Sequence, residues 1–297
     1  MNITHSGFVA IVGRANVGKS TLLNAVLGEK LAIVSPKPQT TRNRITGIYT
    51  QGDTQLVFLD TPGMHRPKTK LGEYMVKTVR ESIVDVDAAI LVIEPHTEIK
   101  PAELELLSKL KASKTAVILA VNKIDTVGNK RDLIPVITTW SKLCDYAAVV
   151  PISASNGDGV SALMDEIKKL IPEGPQYYPD DMFTTEPEKA VVAEIIREKL
   201  LMLLSEEIPH GTAVSIEKMH EREDGSLIDI EAVIYCEKES HKGMIIGKGG
   251  AMLKKTGVLA RADIEKLLDC RVNLQLWVKV KDDWRNHGNI LKTLGYN

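Results

Sequence analysis

Gly13-Arg14-Ala15-Asn16-Val17-Gly18-Lys19-Ser20 fits the pattern G-x-x-x-x-G-K-[ST]. It lies between an apolar run at 8–12 and a helical pattern over 19–27. A strand, a glycine loop and a helix in that order restrict the fold more than any other feature of the chain. Glycines let the backbone wrap a phosphate so that successive N–H groups point inward, and the helix that follows adds its positive N-terminal end. Lys19 is placed to reach β- and γ-phosphates, and the Ser20 hydroxyl to ligate Mg²⁺, with Thr21 following in the first helical turn. An ordinary glycine turn between strand and helix is the alternative.

The rhythm continues beyond the loop. Short apolar runs at 8–12, 55–59, 88–93, 116–121 and 147–152 are bounded by turn signals and read as buried, mostly parallel strands. Helical patterns cover 19–27, roughly 71–84, 101–112, 132–143 and 160–170. Such alternation predicts an α/β sheet with helices on both faces. It ends near Pro172. Residues 172–187 hold four prolines and no apolar periodicity, and read as a linker. A smaller α+β domain follows: a helix over 189–204, strands over 212–219 and 227–237 joined at Asp224-Gly225, a glycine loop at 247–250, helices broken at Gly257, an alternating strand over 271–280, and a closing helix over 284–294. The expected division is a first domain over 1–172, a linker over 173–188 and a second domain over 189–297.

The formal net charge of −1 conceals three blocks. Residues 1–172 carry 21 Lys and Arg against 17 Asp and Glu, residues 173–237 carry 5 against 16, and residues 238–292 carry 12 against 6. Local rather than total charge governs nucleic-acid binding, so the last block is the candidate. No apolar stretch approaches the ~20 residues of a spanning helix. The opening MNITHSGFVA lacks the pattern of a secretion signal, and Cys144, Cys236 and Cys270 are too widely spaced for a C-x-x-C metal site. A cytoplasmic, reducing environment is expected.

Two further motifs refine the ligand. Asp60-Thr61-Pro62-Gly63 closes an apolar run. An acid at such a strand end can hold Mg²⁺, and Gly63 can offer its N–H to a γ-phosphate; a type II turn is the competing reading. Asn122-Lys123-Ile124-Asp125 closes the run 116–121. The Asp125 carboxylate accepts two hydrogen bonds, which guanine supplies from N1–H and its 2-amino group. Adenine would leave it unpaired. Asn122 can tie this loop to the phosphate loop, and the Lys123 stem can cover a face of the base. Ser153-Ala154 sits where a backbone N–H could meet guanine O6.

In order and rough spacing these motifs resemble the translation-factor-like GTPases of the P-loop class. The resemblance implies a switch segment between Gly28 and Ile45 with a Thr that ligates Mg²⁺ and senses γ-phosphate. Thr41 is the choice and Thr40 the runner-up. Many such enzymes carry a Gln after D-x-x-G to orient water; here Met64 stands there, and slow intrinsic hydrolysis is expected. In relatives that use K⁺, an Asn at the position of Asn16 ligates the cation. A loop Asn capping its own backbone is the equal alternative.

Ile245-Ile246-Gly247-Lys248-Gly249-Gly250 fits the G-x-x-G loop of a K homology domain, here type II-like. Bare G-x-x-G arises about once by chance in 300 residues of average glycine content. Its context is more telling: apolar residues before it, a helix after it, then an alternating strand, with Lys242, Lys248, Lys254 and Lys255 around it. Ile246, Gly247, Lys248, Gly249 and Gly250 would let a nucleic-acid backbone lie against the loop. A guanine-nucleotide domain joined to such a loop resembles the Era family of bacterial ribosome-assembly GTPases over nearly the whole chain. That resemblance implies GTP and GDP as ligands with Mg²⁺, GTP-gated binding near the 3′ end of 16S rRNA, a role in 30S subunit maturation, a monomer, and partial association with the inner face of the cell membrane. A small-molecule kinase and a GTP-binding scaffold without turnover are the alternatives; Asn122–Asp125 disfavours the first, and Met64 motivates the second.

Overall fold

The computed structural model describes residues 3–205, 208–223 and 225–296. Asp224, half of the expected turn, lies outside the described residues. The chain divides into two compact units. One comprises Met1–Ala32, Thr41–Lys68 and Gly72–Thr185; the other comprises Ile33–Thr40, Thr69–Leu71 and Glu186–Asn297.

The elements of the first stretch are β1 (His5–Gly13), α1 (Lys19–Leu27), β2 (Ile45–Gln51), β3 (Thr54–Asp60), α2 (Lys70–Glu81), β4 (Ala88–Ile93), α3 (Pro101–Ser113), β5 (Ala116–Val121), α4 (Leu133–Ser141), β6 (Ala148–Pro151) and α5 (Val160–Lys168). Six strands form one sheet in the order β2-β3-β1-β4-β5-β6. Every neighbouring pair is parallel except β2 with β3. Successive strand residues point to opposite faces. All of Val9, Ala10, Ile11 and Val12, and every residue of β4, are fully buried, so both faces are covered. Ala10, Val12, Leu91 and Leu119 share a core with Val76, Leu106, Leu110 and Trp140 of α2, α3 and α4. Gly28 stops α1 as its sequence position suggests: it adopts φ 73° and its N–H donates to Asn24 O at 2.9 Å.

Strand β2 has no counterpart in the sequence expectation. Its residues, ITGIYTQ, interrupt any apolar alternation with glycine and polar groups. Tertiary pairing forms it: Gly52 at φ 63° turns the chain back along β3, and Gly47 lets Leu23 and Leu27 of α1 approach where a Cβ would lie 2.8 Å from each. Residues 173–185 group with this unit and lie along its sheet. The Ile48 N–H donates to Phe183 O at 2.8 Å, and the Gln55 amide, buried in β3, accepts from the N–H groups of Tyr177 and Tyr178 and donates to Tyr178 O. The proline-rich stretch is therefore a strap that covers the β2 edge.

The second unit is built on α6 (Glu188–Leu203), β7 (Ala213–Glu221), β8 (Ile228–Cys236), α7 (Glu239–Ile246), α8 (Ala251–Leu268), β9 (Val272–Val280) and α9 (Gly288–Thr293). Its sheet runs β7-β8-β9, antiparallel then parallel. Two expectations are corrected here. Gly257 does not break α8, which runs unbroken on a buried stripe of Thr256, Ala260 and Ile264. An internal glycine costs about 1 kcal/mol against alanine but keeps its N–H, so burial of that stripe decides. The single helix expected over 284–294 is instead a 3-10 turn at Trp284–Asn286 followed by the short α9. The buried Trp284 indole donates to Gly211 O at 2.9 Å and stacks on Tyr296, which fixes the chain before α9 starts. Among the described residues no helix is long and apolar enough to cross a membrane.

Candidate functional site

The carboxyl ends of β1, β3 and β5 gather the first three motifs at one edge of the sheet. Gly13 ends β1 and Gly18 caps α1 in a left-handed conformation, φ 98°. Lys19 is buried, with Nζ 2.8 Å from Arg14 O and 3.3 Å from Gly13 O. Burial pulls its pKa down to about 8, and neighbouring Asp60 opposes that shift. Asp60 is fully buried at the end of β3, and burial pushes its carboxyl up to about 6 against the pull of Lys19. Its Oδ2 accepts from Ser20 Oγ at 2.6 Å, while its buried Oδ1 has no hydrogen-bond donor. Ser20 Oγ also lies 2.7 Å from Thr41 Oγ1. Three hard oxygen ligands therefore converge, one with an unmatched lone pair, which is a donor set that suits Mg²⁺ completed by phosphate and water. Thr40 is engaged elsewhere: its hydroxyl donates to Lys37 O at 2.7 Å, within the segment Ile33–Thr40 that groups with the second unit.

Gly63 approaches the phosphate loop so closely that a Cβ there would lie 2.5 Å from Ala15 Cα. The Thr61 hydroxyl donates to Ile11 O at 2.8 Å, and Pro62 is buried between them in sequence. Met64 donates its N–H to Gly13 O at 3.1 Å while its side chain is buried in the core with Val12 and Val76. The residue that follows Gly63 thus packs into the core.

Asn122 cross-links the loop that follows β5 to its neighbours. Its Nδ2 donates to Val17 O at 2.7 Å, and its Oδ1 accepts the Ala154 N–H at 2.9 Å. One side chain joins the phosphate loop, the end of β5 and the loop after β6. Asp125 is exposed and oriented by the Ser153 hydroxyl at 2.5 Å. The Ser153 N–H is donated to Asp158 O. A guanine O6 at Ala154 would therefore share an N–H that Asn122 already holds. Lys123 adopts φ 64°, unusual for a side chain with a Cβ, which turns the loop outward. Asn16 also has positive φ, 65°, a conformation asparagine tolerates.

In the second unit, Gly247 caps α7 and takes φ 73°, where a Cβ would lie 2.7 Å from Met252 Cβ. Gly249 and Gly250 also have positive φ and face open space, and Lys248, Lys254 and Lys255 are exposed beside them. Lys242 and Ile246 are half-buried on α7. Next to the loop is a cleft of about 390 Å³ lined by Leu253, Lys254, Gly257, Val258, Arg261, Leu274 and Leu276. Arg261 lines this cleft and is not among the residues expected from the sequence. Its signal was its spacing, seven residues after Lys254 and so on the same helical face. Glu94 and Glu103, which contact Arg14, were also missed because neither lies in a recognisable motif.

Residues 8–123 match the family described as 50S ribosome-binding GTPase, and residues 207–285 match the KH domain. The chain is 53% identical to GTPase Era of Ruminiclostridium cellulolyticum over 98% of this chain and 97% of that protein, and 52% identical to GTPase Era of Clostridioides difficile over 98% of each. The chain belongs to the Era family of GTPases. Two solved Era structures superpose with a TM-score of 0.95 at 38% identity. One is a variant of Aquifex aeolicus Era bound to GDP and aluminium fluoride, covering 98% of this chain and 99% of that one. The other is Era in complex with MgGDPNP and nucleotides 1506–1542 of 16S ribosomal RNA, covering 99% of each. As an Era-family member the chain is a GTP-binding, GTP-hydrolysing enzyme with a P-loop GTPase sheet followed by a KH fold.

The phosphate loop of this GTPase tolerates no side chain at Gly18. A Cβ there would sit 2.2 Å from Asn122 Nδ2, at a φ that L-residues rarely adopt. Gly18→Ala should disrupt the bond from Asn122 to Val17 and weaken GDP binding by about tenfold or more, equivalent to ~1.4 kcal/mol. Titration with a fluorescent GDP analogue measures this; unchanged affinity would show that the loop does not hold the nucleotide.

Proposed function

We propose that this chain is a GTP-driven switch that binds 16S rRNA near its 3′ end and assists maturation of the 30S subunit. Residues 1–172 are assigned as the nucleotide domain, 173–188 as the connection and 189–297 as the RNA-binding domain. Gly13 to Thr21 wrap the phosphates, with Lys19 reaching their oxygens. Ser20, Thr41 and Asp60 hold Mg²⁺, which when bound offsets the charge of the transferring phosphate. Asp60, Thr61, Pro62 and Gly63 border the γ-phosphate, where Gly63 and Thr41 present N–H groups. Asn122, Lys123, Asp125, Ser153 and Ala154 take the base. The observation that carries the nucleotide part of this reading is the unmatched Asp60 Oδ1 beside the two hydroxyls, with Lys19 buried alongside.

With Met64 in the core, the residue directly after Gly63 does not hold the attacking water, which must be positioned otherwise, and the developing negative charge needs its own counter-charge. A monovalent cation at Asn16 would supply it. Hydrolysis should then be several-fold faster in K⁺ than in Na⁺, and Asn16→Ala should erase the difference. A phosphate-release assay that gave equal rates in both salts would leave Asn16 a structural loop residue.

RNA occupies the second unit in this reading. A strand's phosphates lie on Ile246, Gly247, Lys248, Gly249 and Gly250, flanked by Lys242, Lys254 and Lys255, and its bases enter the cleft over Leu253 and Val258. The Era complex with nucleotides 1506–1542 supports the choice of the rRNA 3′ region. The chain acts as a monomer in the cytoplasm; association with the inner face of the membrane rests on family resemblance alone. Lys248→Asp with Gly249→Asp should remove binding to a single-stranded oligonucleotide while intrinsic GTP turnover stays near normal. Affinity of the unmodified protein should fall with salt by ~0.7 log units per log unit for each phosphate neutralised. A double variant that binds with the same salt slope would exclude the glycine loop as the RNA site.

A further inference from the structure

A chain of charged groups links the phosphate loop to the base loop through residues that no motif covers. It starts at the N-terminus of α3, where the Lys100 N–H donates to Glu103 Oε2 at 2.7 Å. Glu103 is 1% exposed. Its Oε1 accepts from Arg14 Nε at 3.1 Å. Arg14 Nη2 donates to Glu94 Oε2 at 3.1 Å, and the other oxygen of Glu94 accepts from Lys123 Nζ at 2.5 Å. Glu94 follows directly on β4, whose six residues are all buried, so its backbone is anchored at the end of a fully packed strand. The guanidinium is held on two edges by two carboxylates, a planar arrangement that lysine could not reproduce.

We propose that Glu94 is a positioning residue for the guanine base: it extends the Lys123 stem in advance as the platform on which the base lies, and locks that platform to the phosphate loop through Arg14. The proposal rests on the reading that Asn122 to Asp125 receive the base. An unrestrained lysine samples many rotamers and must give up that freedom to lie flat on a ring. Here its head is fixed before any ligand arrives, and the carboxylate that fixes it is held by Arg14, which a buried acid capping a helix holds in turn. Arg14 contributes in a second way, since its carbonyl accepts from Lys19 Nζ at 2.8 Å. The two ends of a nucleotide are thus registered to one residue, through its backbone carbonyl and its guanidinium. Preorganisation of this kind acts on binding of GTP and GDP alike and leaves the bond-breaking step untouched.

The test is dissociation of fluorescent GDP and GTP analogues by stopped flow, with single-turnover hydrolysis at saturating GTP alongside. Glu94→Ala should release both nucleotides about 5- to 20-fold faster, and Glu94→Gln, which keeps an acceptor, should fall between. The saturated hydrolysis rate should stay within about twofold, a split that a general loss of structure would not give. In a Lys123→Ala background, Glu94→Ala should add less than about twofold, because the pair acts as a unit. If both Glu94 variants release nucleotide at the unmodified rate while Lys123→Ala speeds release, Glu94 has no positioning role. Full multiplication of the two effects would overturn it as well. If Lys123→Ala itself changes nothing, the assignment of the base loop fails instead, and the two failures are told apart.

Discussion

The nucleotide site depends on burying Lys19 and Asp60 side by side at the end of the sheet. Each charge is desolvated, and each pulls the other's pKa against the effect of burial. An isolated buried charge is among the most unfavourable features a fold can carry. The pair is tolerated because Gly13 O, Arg14 O and Ser20 Oγ satisfy part of it. What remains unsatisfied is one carboxylate oxygen and the charge of an ammonium, the two things that a cation and a polyphosphate supply. The rest of the first unit serves this arrangement. The fully buried β4, and β5 buried from Val117 onward, hold the sheet edge, and Asn122 braces the loop above it against Val17.

The second unit solves a different problem with glycine. Gly247, Gly249 and Gly250 all adopt positive φ, so the turn between α7 and α8 stays narrow and bare. The helix that follows offers one face of small and apolar groups, Gly257 and Val258 among them, opposite Leu274 and Leu276 of β9. Lysines stand at the rim rather than the floor. A bare loop beside an apolar slot with basic margins suits an extended strand whose phosphates stay wet while its bases leave water.

Much of this was legible because the elements carrying chemistry are also those with the strongest local signals. Strands bounded by glycine loops, the strict alternation over 271–280 and the helix stop at Gly28 all follow from backbone rules. What the sequence hid depends on distant partners. Strand β2 forms only because β3 offers a ladder and α1 a surface. The strap over 173–185 reads as a spacer until the buried Gln55 gives its amide to that segment. Thr41 is preferred to its neighbour Thr40 in sequence by resemblance alone, and the fold adds a physical difference: the Thr40 hydroxyl turns to Lys37 and that of Thr41 to Ser20. Gly257 reads as a break because propensity is visible and the buried stripe of α8 is not. Glu94 carries no signal, since an acid after a buried strand is ordinary until the arginine and lysine that meet it are placed.

In the proposed reading the Asp125 carboxylate, in the middle of the 3-10 turn Ile124–Thr126 and oriented by Ser153, selects guanine for a site built on buried phosphate-binding charges. Competition binding with Asp125→Asn tests it most directly. The amide offers a donor where the carboxylate accepted, so the variant should lose GTP by tenfold or more, at ~1–3 kcal/mol for each unpaired group, and gain xanthosine triphosphate, whose 2-oxo group accepts. Retained preference for GTP over xanthosine triphosphate in the variant would contradict the account.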